Sequence, residues 1–257
     1  MRAVERPHTT AVIPARLESA RLPGKALVDI CGLPMVVHVY RRCLLAERLD
    51  DVVVATDSIE IASVVESHGG QVVMTRSDHD NGTERIAEAA EWLDSDIVVN
   101  VFGDEALVDP VSIDAVVAAL HDDPRVQVAI LVNPFERRNS PSDIKVVLDD
   151  NDDVLYLSRS DIPSGARTPD APMLKAYHIL PFRRDFLLEY ATWPPGRLEQ
   201  IEYHEHLRIL ERGYSIRAVQ VESSAVSVDT PEDLEYVREL MEFDPLFPLY
   251  RDSTVDD

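Results

Sequence analysis

Apolar residues in the first half of the chain fall into two alternating patterns. "TTAVIPA" (9–15), "DVVVATD" (51–57), "QVVMT" (71–75) and "DIVVNVF" (96–102) are short, nearly continuous β-branched runs. Such runs read as strands covered on both faces. Between them, "GLPMVVHVYRRCLLAERL" (32–49), "SIEIASVVESHG" (58–69) and "NGTERIAEAAEWLD" (81–94) read as helices, and "DPVSIDAVVAALHDD" (109–123) adds a fourth. Ser58, Asn81 and Asp109 carry oxygens that cap the free amides of a first turn, and Pro110 suits its first position. Gly69-Gly70 supplies a stop. This alternation predicts an α/β fold with a mostly parallel central sheet and helices on both faces.

The second half is less regular. "VQVAILVNP" (126–134), "IKVVLDD" (144–150), "DVLYLS" (153–158) and "MLKAYHIL" (173–180) read as strands, several separated by short turns. Short connections favour antiparallel or mixed pairing. "SDIPSGARTPDAP" (160–172) is a polar loop rich in Pro and Gly. Helices are expected at about 182–192, 199–212 and 230–242, the last capped by Thr230 with Pro231 and Asp233 behind it, and Val226 and Val228 suggest a short strand before it. We expect one domain over residues 1–245, a smaller mixed or antiparallel subdomain at about 130–200, and an extended or disordered tail at 246–257.

Composition narrows the function classes. No run approaches the roughly 18–20 apolar residues that cross a bilayer, and "MRAVERPHTT" has no apolar signal core. We therefore expect a soluble cytoplasmic protein with no membrane partner. Two cysteines, Cys31 and Cys43, are too few for a disulfide framework and are expected to be reduced. Asp and Glu total 47 against 25 Lys and Arg, a formal net charge of −22. That balance disfavours a nucleic-acid surface and repels anions at long range. Any anion site has to be made positive locally.

"ARLESARLPGK" (15–25) does this, placing Arg16, Arg21 and Lys25 after the first strand beside a Pro23-Gly24 turn. In an open α/β sheet, ligands bind beyond the carboxyl ends of strands. Backbone amides, Arg and Lys there can converge on a phosphate chain. A solvated surface loop is the alternative, and neither the GxxxxGK[ST] nor the GxGxxG spacing is present. "VNVFGDEALVDP" (99–110) ends a strand in Asp104, which suits a hard metal such as Mg²⁺ or a simple turn. Asp229, in "SSAVSVDTPEDL" (223–234), is a turn residue, or meets Asp104 to form a divalent-metal site beside bound phosphates. In "MTRSDHDNGTERIAE" (74–88), Arg76 and Arg85 flank a polar loop, and Gly82 leaves room for a flat ring. A nucleobase edge and plain helix-surface charge both remain open readings.

Together, "IPARLESARLPGKAL", "VATD", "MTRSDHDNGTERIAE", "VNVFGDEA" and "VDTPEDLE" resemble, in order and spacing, the 3-deoxy-manno-octulosonate cytidylyltransferase (CMP-Kdo synthetase) family over residues 9–242. The resemblance implies a Rossmann-like nucleotidyltransferase fold, transfer of CMP from CTP with release of pyrophosphate, Mg²⁺ dependence, and a homodimer paired through the second-half subdomain. It implies that Ala15, Arg16, Arg21 and Lys25 lie along the CTP phosphates, with Arg16 and Lys25 acting in catalysis. Arg76, Gly82 and Arg85 fall in its cytosine-recognition segment, and Asp104 and Asp229 match its metal-binding aspartates.

Departures from the family pattern cluster where the acceptor would sit. Phe102 replaces a glutamine and Ala106 a proline; Ala176 and Leu180 stand where a sugar-binding histidine and tyrosine would be; His206 replaces a glutamine beside Glu205. Acceptor contacts are expected from Phe102, Arg159, Lys175, His178, Glu205 and His206. Losing three polar groups disfavours a polyol, since each unpaired group forfeits about 1–3 kcal/mol. The expectation is a small anionic acceptor, leading with a phosphonate such as phosphonoformate. Kdo or an amino-Kdo is the alternative, and a non-catalytic CTP or CMP sensor is the alternative of another class. His204 and His206, read as two apart on one helix, are expected to point in different directions.

Overall fold

The computed structural model describes residues 6–19, 21–79, 81–177, 179–222 and 226–252. The strands are β1 (Thr9–Ala15), β2 (Asp29–Ile30), β3 (Leu33–Pro34), β4 (Asp51–Thr56), β5 (Gln71–Met74), β6 (Ile97–Val101), β7 (Ala129–Phe135), β8 (Lys145–Leu148), β9 (Val154–Ser158), β10 (Met173–Tyr177), β11 (Ile179–Arg183) and β12 (Arg217–Gln220). The helices are α1 (Met35–Cys43), α2 (Ile59–Ser67), α3 (Gly82–Ala90), α4 (Pro110–Asp122), α5 (Arg184–Ala191), α6 (Arg197–Glu202), α7 (Leu207–Glu211), α8 (Pro231–Glu242) and α9 (Phe247–Tyr250).

One sheet runs β11-β6-β1-β4-β5, with β5, β4, β1 and β6 parallel and β11 antiparallel at the edge. The four parallel strands are the β-branched runs of the first half. Helices cover both faces, so β1, β4 and β6 bury nearly every side chain. A second sheet runs β12-β7-β10-β8-β9, antiparallel except for β12 on β7. A Val128–Phe182 bridge joins the sheets, and two apolar clusters fill the layers.

The expected caps form. Ser58 accepts from the Ile61 amide, Asn81 from that of Glu84, and Asp109 from that of Val111. Five expectations need correction. The helix expected from Gly32 starts at Met35, because Cys31 and Gly32 both take positive φ and close a hairpin between β2 and β3. The strand expected over 173–180 is two, β10 in the second sheet and β11 in the first. Residues 199–212 form two helices, since Tyr203 takes φ 52° and ends α6. No strand forms at Val226–Val228; β12, unread in the sequence, lies earlier. Last, the tail is neither extended nor disordered through residue 250. Phe247 and Tyr250 share one face of α9 and are buried against His38, whose Nδ1 lies 2.9 Å from the Tyr250 hydroxyl. Arg41 donates to the Tyr250 carbonyl at 2.8 Å. Burial pushes His38 down to about 4.

Candidate active site

The carboxyl ends of β1, β4, β5 and β6 lie on one edge of the parallel sheet, and a cleft of about 400 Å³ opens there. Its lining includes Ala15, Arg16, Arg21, Lys25, Asp104 and Asp229. Local chemistry sets each in place. Gly24 takes φ 68° and its amide donates to the Leu17 carbonyl at 3.2 Å, which folds the cationic loop back on itself. Lys25 follows at the start of a short 3₁₀ turn. After β6, Gly103 sits so tightly that a Cβ there would lie 2.9 Å from the Pro14 carbonyl oxygen. The ends of β1 and β6 thus meet over a residue that must be glycine for want of space. Sequence reading gave Gly103 no role; only the neighbouring strand reveals one.

Asp104 and Asp229, far apart in sequence, converge because the Val228 amide donates to the Asp104 carbonyl at 3.0 Å. The capping box of α8 then fixes Asp229, as Asp233 accepts from the amides of Asp229 (3.1 Å) and Thr230 (2.8 Å). Lys25 Nζ donates to Asp104 Oδ2 at 2.7 Å and Asp229 Oδ1 at 3.0 Å, and Arg21 reaches the same Asp229 oxygen at 2.9 Å. Among the described residues no third His, Cys, Asp or Glu completes a metal cluster. Two convergent carboxylates are an oxygen donor set that fits Mg²⁺, which commonly takes one or two carboxylates and fills its remaining positions with phosphate oxygens and water. Arg16 is exposed and makes no ion pair with any described residue. Glu105, beside Asp104, turns inward. It is buried near the Ser227 hydroxyl at 3.4 Å, and burial raises its pKa.

The two arginines of the 74–88 segment separate. Arg85 is buried, donates to Thr75 Oγ1 at 2.6 Å and pairs with Asp57 at 3.2 Å, tying the ends of β4 and β5 along the cleft wall. Arg76 is 67% exposed, pairs loosely with Asp78 and Glu88, and is absent from the lining. Gly82 does line the cleft, with Pro14 side-chain carbons 3.5 Å from where its Cβ would lie. His79 was not singled out in the sequence. Its side chain is 5% exposed, lines the cleft and contacts Glu88. Its setting in a polar loop gave no signal of this.

The expected acceptor residues are scattered. Phe102 lines the cleft next to Gly103. Ala176 and Leu180 do not, being 1% and 0% exposed within the apolar layer between sheet and helices, so two of the three supposedly lost polar groups are core positions here. Arg159 spends its guanidinium on the carbonyls of Pro141, Glu202 and Tyr203. Lys175 pairs with Asp143 at 2.7 Å. Glu205 accepts from the Thr83 hydroxyl at 2.8 Å, which links it to the first turn of α3; burial pushes its carboxyl up to about 7. His206 is buried against Phe182. His204 and His206 do not diverge along a helix. They lie in the break between α6 and α7 with ring centroids 4.9 Å apart. His178 lies outside the described residues.

A cytidylyltransferase family model matches residues 10–220. A 3-deoxy-manno-octulosonate cytidylyltransferase from Syntrophobacter fumaroxidans is 47% identical over 236 residues, covering 88% of this chain and 94% of that protein. The enzyme of the same name from Escherichia coli is 41% identical over 232 residues, covering 90% and 94%. Among solved structures, a CMP:2-keto-3-deoxy-manno-octonic acid synthetase complexed with CTP superposes with a TM-score of 0.89 at 40% identity, covering 92% of this chain and 99% of that one.

Proposed function

The chain belongs to the cytidylyltransferase family, and from that premise we propose that it transfers CMP from CTP to a 3-deoxy-octulosonate-type sugar acid with Mg²⁺ assistance. The observation that carries this reading is the convergence of Arg16, Lys25, Asp104 and Asp229 on one cleft edge, in a chain 40–47% identical to enzymes named for that reaction. The CTP triphosphate lies along the 15–25 loop and the base toward Gly82 and Arg85. An acceptor oxygen forms a bond to the α-phosphorus in line as the bond to the β-phosphate breaks, and pyrophosphate leaves with the electron pair. Arg16 and Lys25 stand where charge accumulates on the leaving group. Bound by Asp104 and Asp229, Mg²⁺ supplies further charge neutralisation at the phosphates. A second subunit is expected to pair through the second-half subdomain at about 130–200.

A phosphonate acceptor is the second reading. Phe102, an apolar ring on the cleft wall, favours it over a polyol, whereas Ala176 and Leu180 lie buried in the core and do not bear on the acceptor. An anionic phosphonate oxygen brings no proton to remove, whereas a sugar hydroxyl gives its proton to solvent as its oxygen bonds to the α-phosphorus. Pyrophosphate release with CTP and Mg²⁺ against Kdo, an amino-Kdo and phosphonoformate tests the choice. Turnover with the sugar acids supports the main reading; turnover with phosphonoformate alone replaces it. Tight CTP binding without turnover on any acceptor would favour a sensor.

A further inference from the structure

Lys25 stands in the position that a divalent ion would have to share. Its ammonium touches both carboxylates, its side chain is 14% exposed, and Arg21 takes a second contact on the same Asp229 oxygen. Two cations thus cancel two carboxylates within one cluster. A metal held by those same oxygens would sit within a few ångströms of the Lys25 ammonium, where like charges in a partly enclosed site repel strongly. The carboxylates themselves are prearranged by main-chain contacts, Asp104 through Val228 and Asp229 through Asp233. Only the flexible stem of Lys25 and the exposed Arg21 need to move.

We infer that Lys25 is an internal counter-ion that closes the Asp104–Asp229 pair to divalent metal until a nucleoside triphosphate draws its ammonium away. Metal and nucleotide then load as a coupled pair. The inference rests on the reading of Asp104 and Asp229 as metal ligands. Phosphate oxygens compete for Lys25 and Arg21 and release both carboxylates in the same event. Linkage requires the effect to be reciprocal, so nucleotide tightens metal binding by the factor that metal tightens nucleotide binding, typically about 5–150-fold. Arg16, which pairs with no described residue, is free to meet the triphosphate first.

Mn²⁺ titration followed by electron paramagnetic resonance of the free ion tests this without turnover, since no acceptor is added. With the Mn²⁺ held by CTP in a protein-free control subtracted, the wild type should bind Mn²⁺ weakly alone and at least about tenfold more tightly with CTP. Lys25→Met should bind Mn²⁺ alone at least about tenfold more tightly than wild type, and CTP should tighten its Mn²⁺ binding by a smaller factor than it does for wild type. Adding Asp104→Asn to that variant should abolish the gain. Lys25→Arg, which keeps the charge, should bind Mn²⁺ alone as weakly as wild type. Thermal melting provides a second readout: Lys25→Met should melt lower, because its carboxylates repel, and Mn²⁺ should restore it. Equal Mn²⁺ affinity of wild type and Lys25→Met without CTP, with CTP still sharpening the wild type, would overturn the counter-ion role and leave the metal site standing. Wild type that binds no Mn²⁺ even with CTP would overturn the metal site and the inference together. Should Lys25→Met not fold, Lys25→Gln takes its place, and Mn²⁺ affinity equal to that of wild type without CTP sinks the counter-ion role.

Discussion

In the first-sheet half, the ends of β1, β6 and the turn before α8 hold Arg16, Arg21, Lys25, Asp104 and Asp229 toward one open cleft. In the second-sheet half, Arg159, Lys175 and Lys145 turn inward onto carbonyls and a carboxylate, Lys145 donating to the carbonyls of Ser140, Asp143 and Arg159. The difference lies in where the chain ends its strands. Parallel strands all release their carboxyl ends on one edge, so loops from distant sequence positions meet there. Antiparallel strands send alternate ends to opposite edges, and their charged residues are used to pin irregular loops. At the cleft edge of the first sheet Arg16, Arg21 and Lys25 line open space, whereas Arg159, Lys175 and Lys145 of the second-sheet half are tied to loops.

The strongest way to break this comparison is Asp104→Asn, which should lower kcat/KM for CTP by about 10²–10³-fold in a pyrophosphate-release assay while leaving the fold intact. A loss under threefold would remove the first half's claim to the chemistry. Next is Glu205. Its folded pKa of about 7 lies above the ordinary 4.5, so the folded chain holds this proton more tightly than the unfolded one. Its contribution to stability therefore falls as pH rises from about 4.5 to about 7, by up to about 3 kcal/mol. Urea denaturation across that range should show a shallower fall for Glu205→Gln than for wild type; parallel curves would mean that Glu205 is not held by burial.

Gly103→Ala should cost about 1–3 kcal/mol in thermal unfolding, because its Cβ meets backbone and the β1 and β6 ends must part. Gly82→Ala, with only ordinary contacts to Pro14, is the matched control. Phe102→Gln should shift kcat/KM between a sugar acid and a phosphonate by about tenfold, toward the polyol, with the CTP KM unchanged. The smallest effect belongs to Arg76→Ala. Exposed and loosely paired, it should change stability by under about 0.5 kcal/mol and the CTP KM by under about threefold.

Particular residues show where sequence reading reached and where it stopped. Buried β-branched runs and cap residues act through near neighbours, so β1, β4, β6 and the starts of α2, α3 and α4 were legible. The strand at 173–180 misled because apolar alternation continues while the chain passes from one sheet to the other. Tyr203 misled because one left-handed residue breaks a helix without a glycine or proline to announce it. Arg76 and Arg85 are alike as letters, and only the packing of α3 against β1 and β4 buries one and exposes the other.

By itself, then, the sequence determined the parallel α/β layer and the cationic loop after the first strand, because each depends on local patterning; the two aspartates stood out from ordinary turn residues only through the family resemblance. Tertiary structure alone decided that Asp104, Asp229 and Lys25 share one cluster, that Ala176 and Leu180 belong to the core, and that α9 packs on His38. Those outcomes rest on contacts between segments tens to hundreds of residues apart. They are fixed by which strand ends meet and which faces are covered, and no periodicity along the chain records that.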